Sequence, residues 1–133
     1  MRIFVVEDAF ETRRELVNLL ARVDGLEIVG QAGSVTEAIT GIEATAPEAI
    51  ILDILLPDGS GVEVLKHCRQ RGSASSVVVL TGNLYDGLRI KCEQLGAVAV
   101  LDKINGLAQV REVAARLQSE FKSGANRSAS HEQ

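Results

Sequence analysis

The sequence contains no tryptophan, one tyrosine and three phenylalanines, so aromatics make up only 3% of its 133 residues. Its core must therefore be aliphatic. Cysteine is equally scarce: Cys68 and Cys92 are too far apart for a CxxC site and too few for a zinc cluster. A bridge between them can be drawn on paper, but two reduced, partly buried thiols suit a cytosolic protein better. No basic excess is present. The net charge of −4 argues against a nucleic-acid surface. No hydrophobic run is long enough to span a membrane. Met1-Arg2 leads into only a few apolar residues before Glu7 and Asp8, so nothing resembles a signal peptide. What is left, with 46% hydrophobic and 24% charged residues, is the composition of a single soluble, cytoplasmic domain.

Around Asp53 the chain is at its most informative. Ile50-Ile51-Leu52-Asp53 is a short run of β-formers that ends in a carboxylate, and it breaks at the turn Pro57-Asp58-Gly59. Apolar strands of this kind are buried on both faces, as in parallel sheets. Asp53 is thereby placed at the carboxyl end of a buried strand, where open α/β sheets put their ligands. A buried acid costs free energy unless something compensates it.

Four further strands fall at Arg2 to Glu7, Glu27 to Ala32, Ser76 to Thr81 and Ala97 to Leu101. Helices are expected between them. Leu16, Val17, Leu20 and Val23 share one helical face, and Ser34-Val35-Thr36-Glu37 has capping-box spacing ahead of a helix that Pro47 stops. Ser60 to Glu63 repeats that spacing, Gly96 is a C-cap for a helix from Tyr85 to Leu95, and Asn105 is the expected cap of the last helix. From Gly124 apolar periodicity is lost, so 1–123 reads as one domain and 124–133 as a disordered tail or the start of a linker. Alternation of five strands with five helices predicts a doubly wound α/β fold, with a five-stranded parallel sheet in the flavodoxin-like order 2-1-3-4-5.

In that order the ends of the first, third, fourth and fifth strands line up, carrying Glu7 and Asp8, Asp53, Thr81 and Lys103. Close carboxylates resist ionising together without a cation. Mg²⁺ suits such a site, since it takes oxygen ligands and is held by one or two carboxylates plus a phosphate. Lys103 supplies a point charge for an anion, and Thr81 a hydroxyl. An aspartate nucleophile with a metal and a lysine makes a phosphoryl-accepting site.

Glu7-Asp8, Asp53 with Pro57 and Gly61 behind it, Thr81-Gly82 and Lys103 together resemble the receiver domains of two-component response regulators, from Met1 to about Ser123. The resemblance implies that Asp53 takes a phosphoryl group from a phosphohistidine on a sensor histidine kinase or a histidine phosphotransfer protein. It implies that Asp8, Asp53 and the backbone carbonyl of Leu55 hold Mg²⁺, with Glu7 acting mainly through water, and that Thr81 and Lys103 contact the phosphoryl oxygens. Asn83 falls where such domains tune the lifetime of the acyl phosphate. The chain would be a switch for an unknown output protein, not an enzyme beyond self-catalysed phosphorylation and dephosphorylation. It would be a monomer or a weak homodimer through the last two helices.

Two positions depart from that family. Val100 stands where an aromatic switch residue is usual, and Ile104 where proline usually follows the lysine. A cis bond before a non-proline residue costs roughly 2.5–4 kcal/mol, so Lys103-Ile104 is expected to be trans. Tyr85 is a candidate substitute for the missing aromatic. His67 has no second histidine beside it, and Gly59-Ser60-Gly61 lacks the spacing of a nucleotide-binding loop. A phosphatase using Asp53 would need an acid at Leu55. A receiver-like interaction domain that works without phosphate stays open, as does the receiver half of a DNA-binding regulator.

Overall fold

Every residue of the third strand, Ala49–Asp53, is buried, and the rest of the fold is arranged on its two faces. The computed structural model describes the backbone of residues 1–131 and the side chains of residues 1–124. In chain order the elements are β1 (Arg2–Val6), α1 (Phe10–Leu20), β2 (Glu27–Ala32), α2 (Val35–Thr45), β3 (Ala49–Asp53), β4 (Leu55–Leu56) and β5 (Gly59–Ser60). Then come α3 (Gly61–Gln70), β6 (Ser76–Thr81), α4 (Asp86–Gln94), β7 (Ala99–Asp102) and α5 (Lys103–His131). The main sheet is parallel throughout, in the order β2-β1-β3-β6-β7. Counting only its five strands, this is the expected order 2-1-3-4-5 of a doubly wound flavodoxin-like fold. Absent from expectation is the hairpin of β4 and β5, which closes the Pro57-Asp58 turn antiparallel.

Side chains alternate across the sheet, because successive residues of a strand point to opposite faces. Ile3, Val5, Ile51, Val78 and Leu80 pack with Leu16, Leu20, Val110 and Ala114 of α1 and α5. Phe4, Val6, Ile50, Leu52, Val77 and Val79 pack with residues of α2, α3 and α4. Each fully buried aliphatic side chain contributes about 1.5–3 kcal/mol relative to an exposed one, so these two aliphatic layers dominate stability. Phe4 is the one aromatic in the core. A Cβ at Gly30 or Gly41 would stand 2.5 Å from its ring, which explains the glycines on both elements that cover it.

Several element ends differ in detail from the sequence reading. Ser34 caps α2 as expected, accepting from the Glu37 N–H. Ser60 caps α3 through the Val62 N–H rather than that of Glu63. Asn105 is not the cap of the last helix. With no loop between β7 and α5, the helix begins at Lys103 and the Asp102 carboxylate accepts from the Ile104 N–H at 2.8 Å. The fifth main strand starts at Ala99 rather than Ala97, whose N–H still closes the end of α4 on the Cys92 carbonyl. Helical backbone continues past Gly124 to His131, through the stretch expected to be a disordered tail or the start of a linker; Glu132 and Gln133 lie outside the described residues. Cys68 and Cys92 are buried free thiols. No helix among the described residues is long and apolar enough to cross a membrane.

Candidate functional site

Strand register sets the site. Val6 pairs with Leu52, so Glu7 and Asp53 emerge level with one another at the carboxyl edge. Asp53 pairs with Leu80 and Thr81 with Asp102, which brings Thr81 and Lys103 to the same edge one step further along. Glu7 and Asp53 continue the parity of Val5 and Ile51, the face covered by α1 and α5. From the start of α5 the Lys103 side chain reaches that face.

Lys103 Nζ lies 2.9 Å from Asp53 Oδ2 and 2.9 Å from Glu7 Oε1. Glu7 and Asp53 are only 1% and 2% exposed, while Lys103 is partly open to solvent. Burial pushes the Glu7 carboxyl above its usual range. The hydrogen bond from Lys103 pulls it back, and the nearby Asp53 carboxylate adds to the rise. Burial also opposes the Lys103 ammonium, but its hydrogen bonds to Glu7 and Asp53 outweigh this and lift its pKa above the ordinary lysine value. The Leu55 N–H donates to Asp53 Oδ1 at 3.1 Å, and the Ala9 N–H to Glu7 Oε1 at 3.3 Å. Gly61 lies so close under Asp53 that an added Cβ would stand 2.2 Å from its carbonyl oxygen. That contact and the Gly61 N–H bond to the Ile54 carbonyl fold the hairpin back over the strand end.

The remaining expected residues are placed less tightly. Thr81 is 1% exposed, on the parity of Val79, and its hydroxyl accepts from the Asn83 N–H at 3.4 Å. It borders a cavity of about 500 Å³ between α3 and α4, also lined by Leu88, Tyr85, Lys66 and Lys91. Asp8 is exposed, so of the two acids after β1 it is Glu7 that enters the buried cluster. Val100 is buried, with its carbonyl held by Arg89 Nη1 at 3.2 Å, and Ile104 is exposed. The Lys103-Ile104 peptide is trans. The sequence reading missed Asp58, treated there only as a turn residue. Its carboxylate accepts from the Val35 N–H at 2.7 Å and the Thr36 N–H at 3.1 Å.

Lys103 Nζ is also 2.9 Å from Glu7 Oε2, so one ammonium faces two buried carboxylates, although Glu7 Oε2 makes no well-directed hydrogen bond. One positive charge against two buried carboxylates leaves room for a second cation to balance them. The donor set is all oxygen, which suits Mg²⁺. No tight group of three carboxylate, imidazole or thiolate ligands occurs among the described residues, and Mg²⁺, held by one or two carboxylates with waters, needs none.

Comparison with known proteins agrees with this geometry. The family model described as the response regulator receiver domain matches residues 3–115. The DNA-binding transcriptional activator DevR/DosR of Mycobacterium tuberculosis is 34% identical over 114 residues, covering 85% of this chain and 52% of that protein. A protein-glutamate methylesterase/protein-glutamine glutaminase of Trichodesmium erythraeum is 34% identical over 103 residues, 77% of this chain and 27% of that one. The chain thus spans about half the length of the first relative and about a quarter of the second. Among solved structures, the response regulator domain of Thermotoga maritima CheB superposes with a TM-score of 0.76 at 25% identity, over 95% of this chain and 96% of that one. A match over most of the chain, on a sheet edge that gathers Glu7, Asp53, Thr81 and Lys103, means that this chain belongs to the response regulator receiver domains.

Proposed function

We propose that Asp53 accepts a phosphoryl group from a phosphohistidine and that the modified domain changes its affinity for an output protein. The observation that carries this reading is the buried Asp53 carboxylate held 2.9 Å from Lys103 Nζ at the carboxyl edge of the sheet. In the transfer, an Asp53 oxygen forms a bond to phosphorus while the bond from phosphorus to the donor imidazole nitrogen breaks, its electron pair staying on that nitrogen. Lys103 holds a phosphoryl oxygen by charge, and the Thr81 hydroxyl donates a hydrogen bond to another. Asp8, Asp53 and the Leu55 carbonyl would hold Mg²⁺, with Glu7 acting through water; the ion would neutralise charge on the transferring group. The chain is then a phosphoryl acceptor, with at most self-catalysed phosphorylation and dephosphorylation.

Four large apolar side chains, Phe10, Leu55, Tyr85 and Ile104, are exposed on segments that follow the strand ends around this site. Such a rim supports a protein donor, a sensor histidine kinase or a histidine phosphotransfer protein in the cytoplasm. Ile90 on α4, Val98 before β7 and Phe121 on α5 are also exposed, which supports an output or weak homodimer surface on the last two helices.

A phosphoryl group adds about −1.5 to −2 charges at one point. It shifts a pre-existing equilibrium only through interactions that differ between the two states. The cavity beside Thr81, with Tyr85 on its wall, supports Tyr85 as the residue that moves.

In this reading the receiver unit is 1–123, with 124–133 a tail or the start of a linker. The match to about half of DevR/DosR, by name a DNA-binding activator, supports a second reading in which this chain is the receiver half of such a regulator. A receiver-like domain that binds partners without phosphate is the third. Intact mass after incubation with Mg²⁺ and acetyl phosphate, beside Asp53→Ala, tests the acceptor role. An adduct on the wild type alone is expected. No adduct and no Mg²⁺ binding would leave the phosphate-independent domain.

A further inference from the structure

We infer that Asp58 is a positioning residue for this site: by clamping the tip of the β4–β5 hairpin to the first turn of α2, it holds Leu55 in place over Asp53. The inference rests on the phosphoacceptor reading above. A hairpin of two-residue strands does not hold itself in water. At its base the loop is tied by the Leu55 N–H to Asp53 Oδ1 and by the Gly61 N–H to the Ile54 carbonyl. Its tip, Pro57-Asp58-Gly59, is exposed, beside Leu56, which is buried in the core. There Asp58 takes the Val35 N–H at 2.7 Å, the Thr36 N–H at 3.1 Å and the Thr36 hydroxyl at 3.1 Å.

The anchor is rigid. Val35, Ala38 and Ile42 root α2 in the core. The helix already has its own cap, because Ser34 accepts from the Glu37 N–H. Asp58 instead uses two free donors of the first turn, where the helix dipole also favours a carboxylate. These backbone hydrogen bonds, with that from the Thr36 hydroxyl, hold the Asp58 carboxyl below the usual range, which matches a carboxylate that stays charged and bound. Helix α2 gains two bonded donors that Ser34 does not reach, and the hairpin gains a tie at its tip. The loop so held carries the Leu55 carbonyl and the N–H that orients Asp53.

The test compares wild type, Asp58→Ala and Asp58→Asn for Mg²⁺ affinity by calorimetry, acetyl-phosphate adduct formation, Leu55 amide exchange and thermal midpoint. Removing an outer partner of a metal site costs about 10-fold in affinity. We expect a loss of that order in Asp58→Ala, faster Leu55 exchange, recovery in Asp58→Asn, and a near-normal adduct rate at saturating Mg²⁺. A lowered midpoint with unchanged Mg²⁺ affinity and Leu55 exchange would overturn the inference and leave Asp58 as a plain helix cap. If the wild type neither binds Mg²⁺ nor forms an adduct, the phosphoacceptor reading fails, and Leu55 exchange still decides whether the clamp orders the loop. Should Asp58→Ala not fold, Thr36→Val removes only the hydroxyl bond. A partial loss of affinity there supports the clamp, and no change in affinity or exchange sinks it.

Discussion

Lys103 Nζ sits 2.9 Å from Asp53 Oδ2 and 2.9 Å from Glu7 Oε1, although 50 and 96 residues of chain separate it from them. Breaking a buried pair by removing one partner leaves an uncompensated charge. Lys103→Met should therefore destabilise the Mg²⁺-free protein by about 1–3 kcal/mol, the lower part of the usual range because the ammonium is partly solvated. Mg²⁺ should restore part of that loss by taking over as counter-cation. Urea unfolding with and without Mg²⁺ checks both; a variant as stable as wild type without the ion would contradict the pairing.

Stability should depend on pH through Glu7. Its folded pKa is raised by burial, so the folded state binds the proton more tightly than the unfolded chain. The sign follows from linkage: Glu7 favours folding below its unfolded value, and that contribution is lost as pH rises through the raised folded value. In Mg²⁺-free buffer, wild type should lose stability relative to Glu7→Gln as pH climbs from the ordinary carboxylate value of about 4 through the raised folded value. A difference that does not change over that window would refute the assignment.

Gly61→Ala should damage both fold and site. The new methyl would stand 2.2 Å from the Asp53 carbonyl oxygen and 2.9 Å from the Ile54 Cα, both backbone atoms that cannot swing aside. Overpacking of this kind costs about 1–3 kcal/mol. Denaturant midpoints should fall, and the acetyl-phosphate adduct should form more slowly than on wild type.

Ala46→Gly should do the opposite for stability. Ala46 closes α2 at φ 45°, the left-handed region that disfavours any Cβ. Relief of that strain is worth about 1 kcal/mol, less the extra entropy of glycine in the unfolded chain. A higher thermal midpoint with unchanged adduct formation is the expected result.

Tyr85 offers a direct optical test. It is the single tyrosine in a chain without tryptophan, so tyrosine emission reports one residue. Phosphorylation should change that emission and its quenching by iodide if the ring enters the cavity beside Thr81. Identical spectra before and after adduct formation would remove Tyr85 from the switch.

Strand order and the acid, hydroxyl and lysine positions were legible because each rests on local pattern. Runs such as Ser76–Thr81 read as buried strands, their alternation with helices gives a parallel sheet, and the flavodoxin-like order suits five of them. Asp58 was illegible for a physical reason. Its partners at Val35 and Thr36 lie 23 and 22 residues away, and nothing in Pro57-Asp58-Gly59 distinguishes a carboxylate in solvent from one on a distant helix end. Asn105 misled because the sequence favours it as a cap, while direct passage from β7 into α5 handed that position to Asp102.

By itself the sequence determined the alternation of strand and helix, the two-faced aliphatic sheet and the set of residues delivered to its carboxyl edge. These follow from side-chain periodicity, which is a local property. Only the tertiary structure decided that Glu7 rather than Asp8 enters the buried cluster, that one ammonium serves two carboxylates, and that the Asp53 loop is pinned to α2. Register between strands and the packing of a loop against a remote helix set those choices, and both depend on distances through space that no stretch of sequence encodes alone.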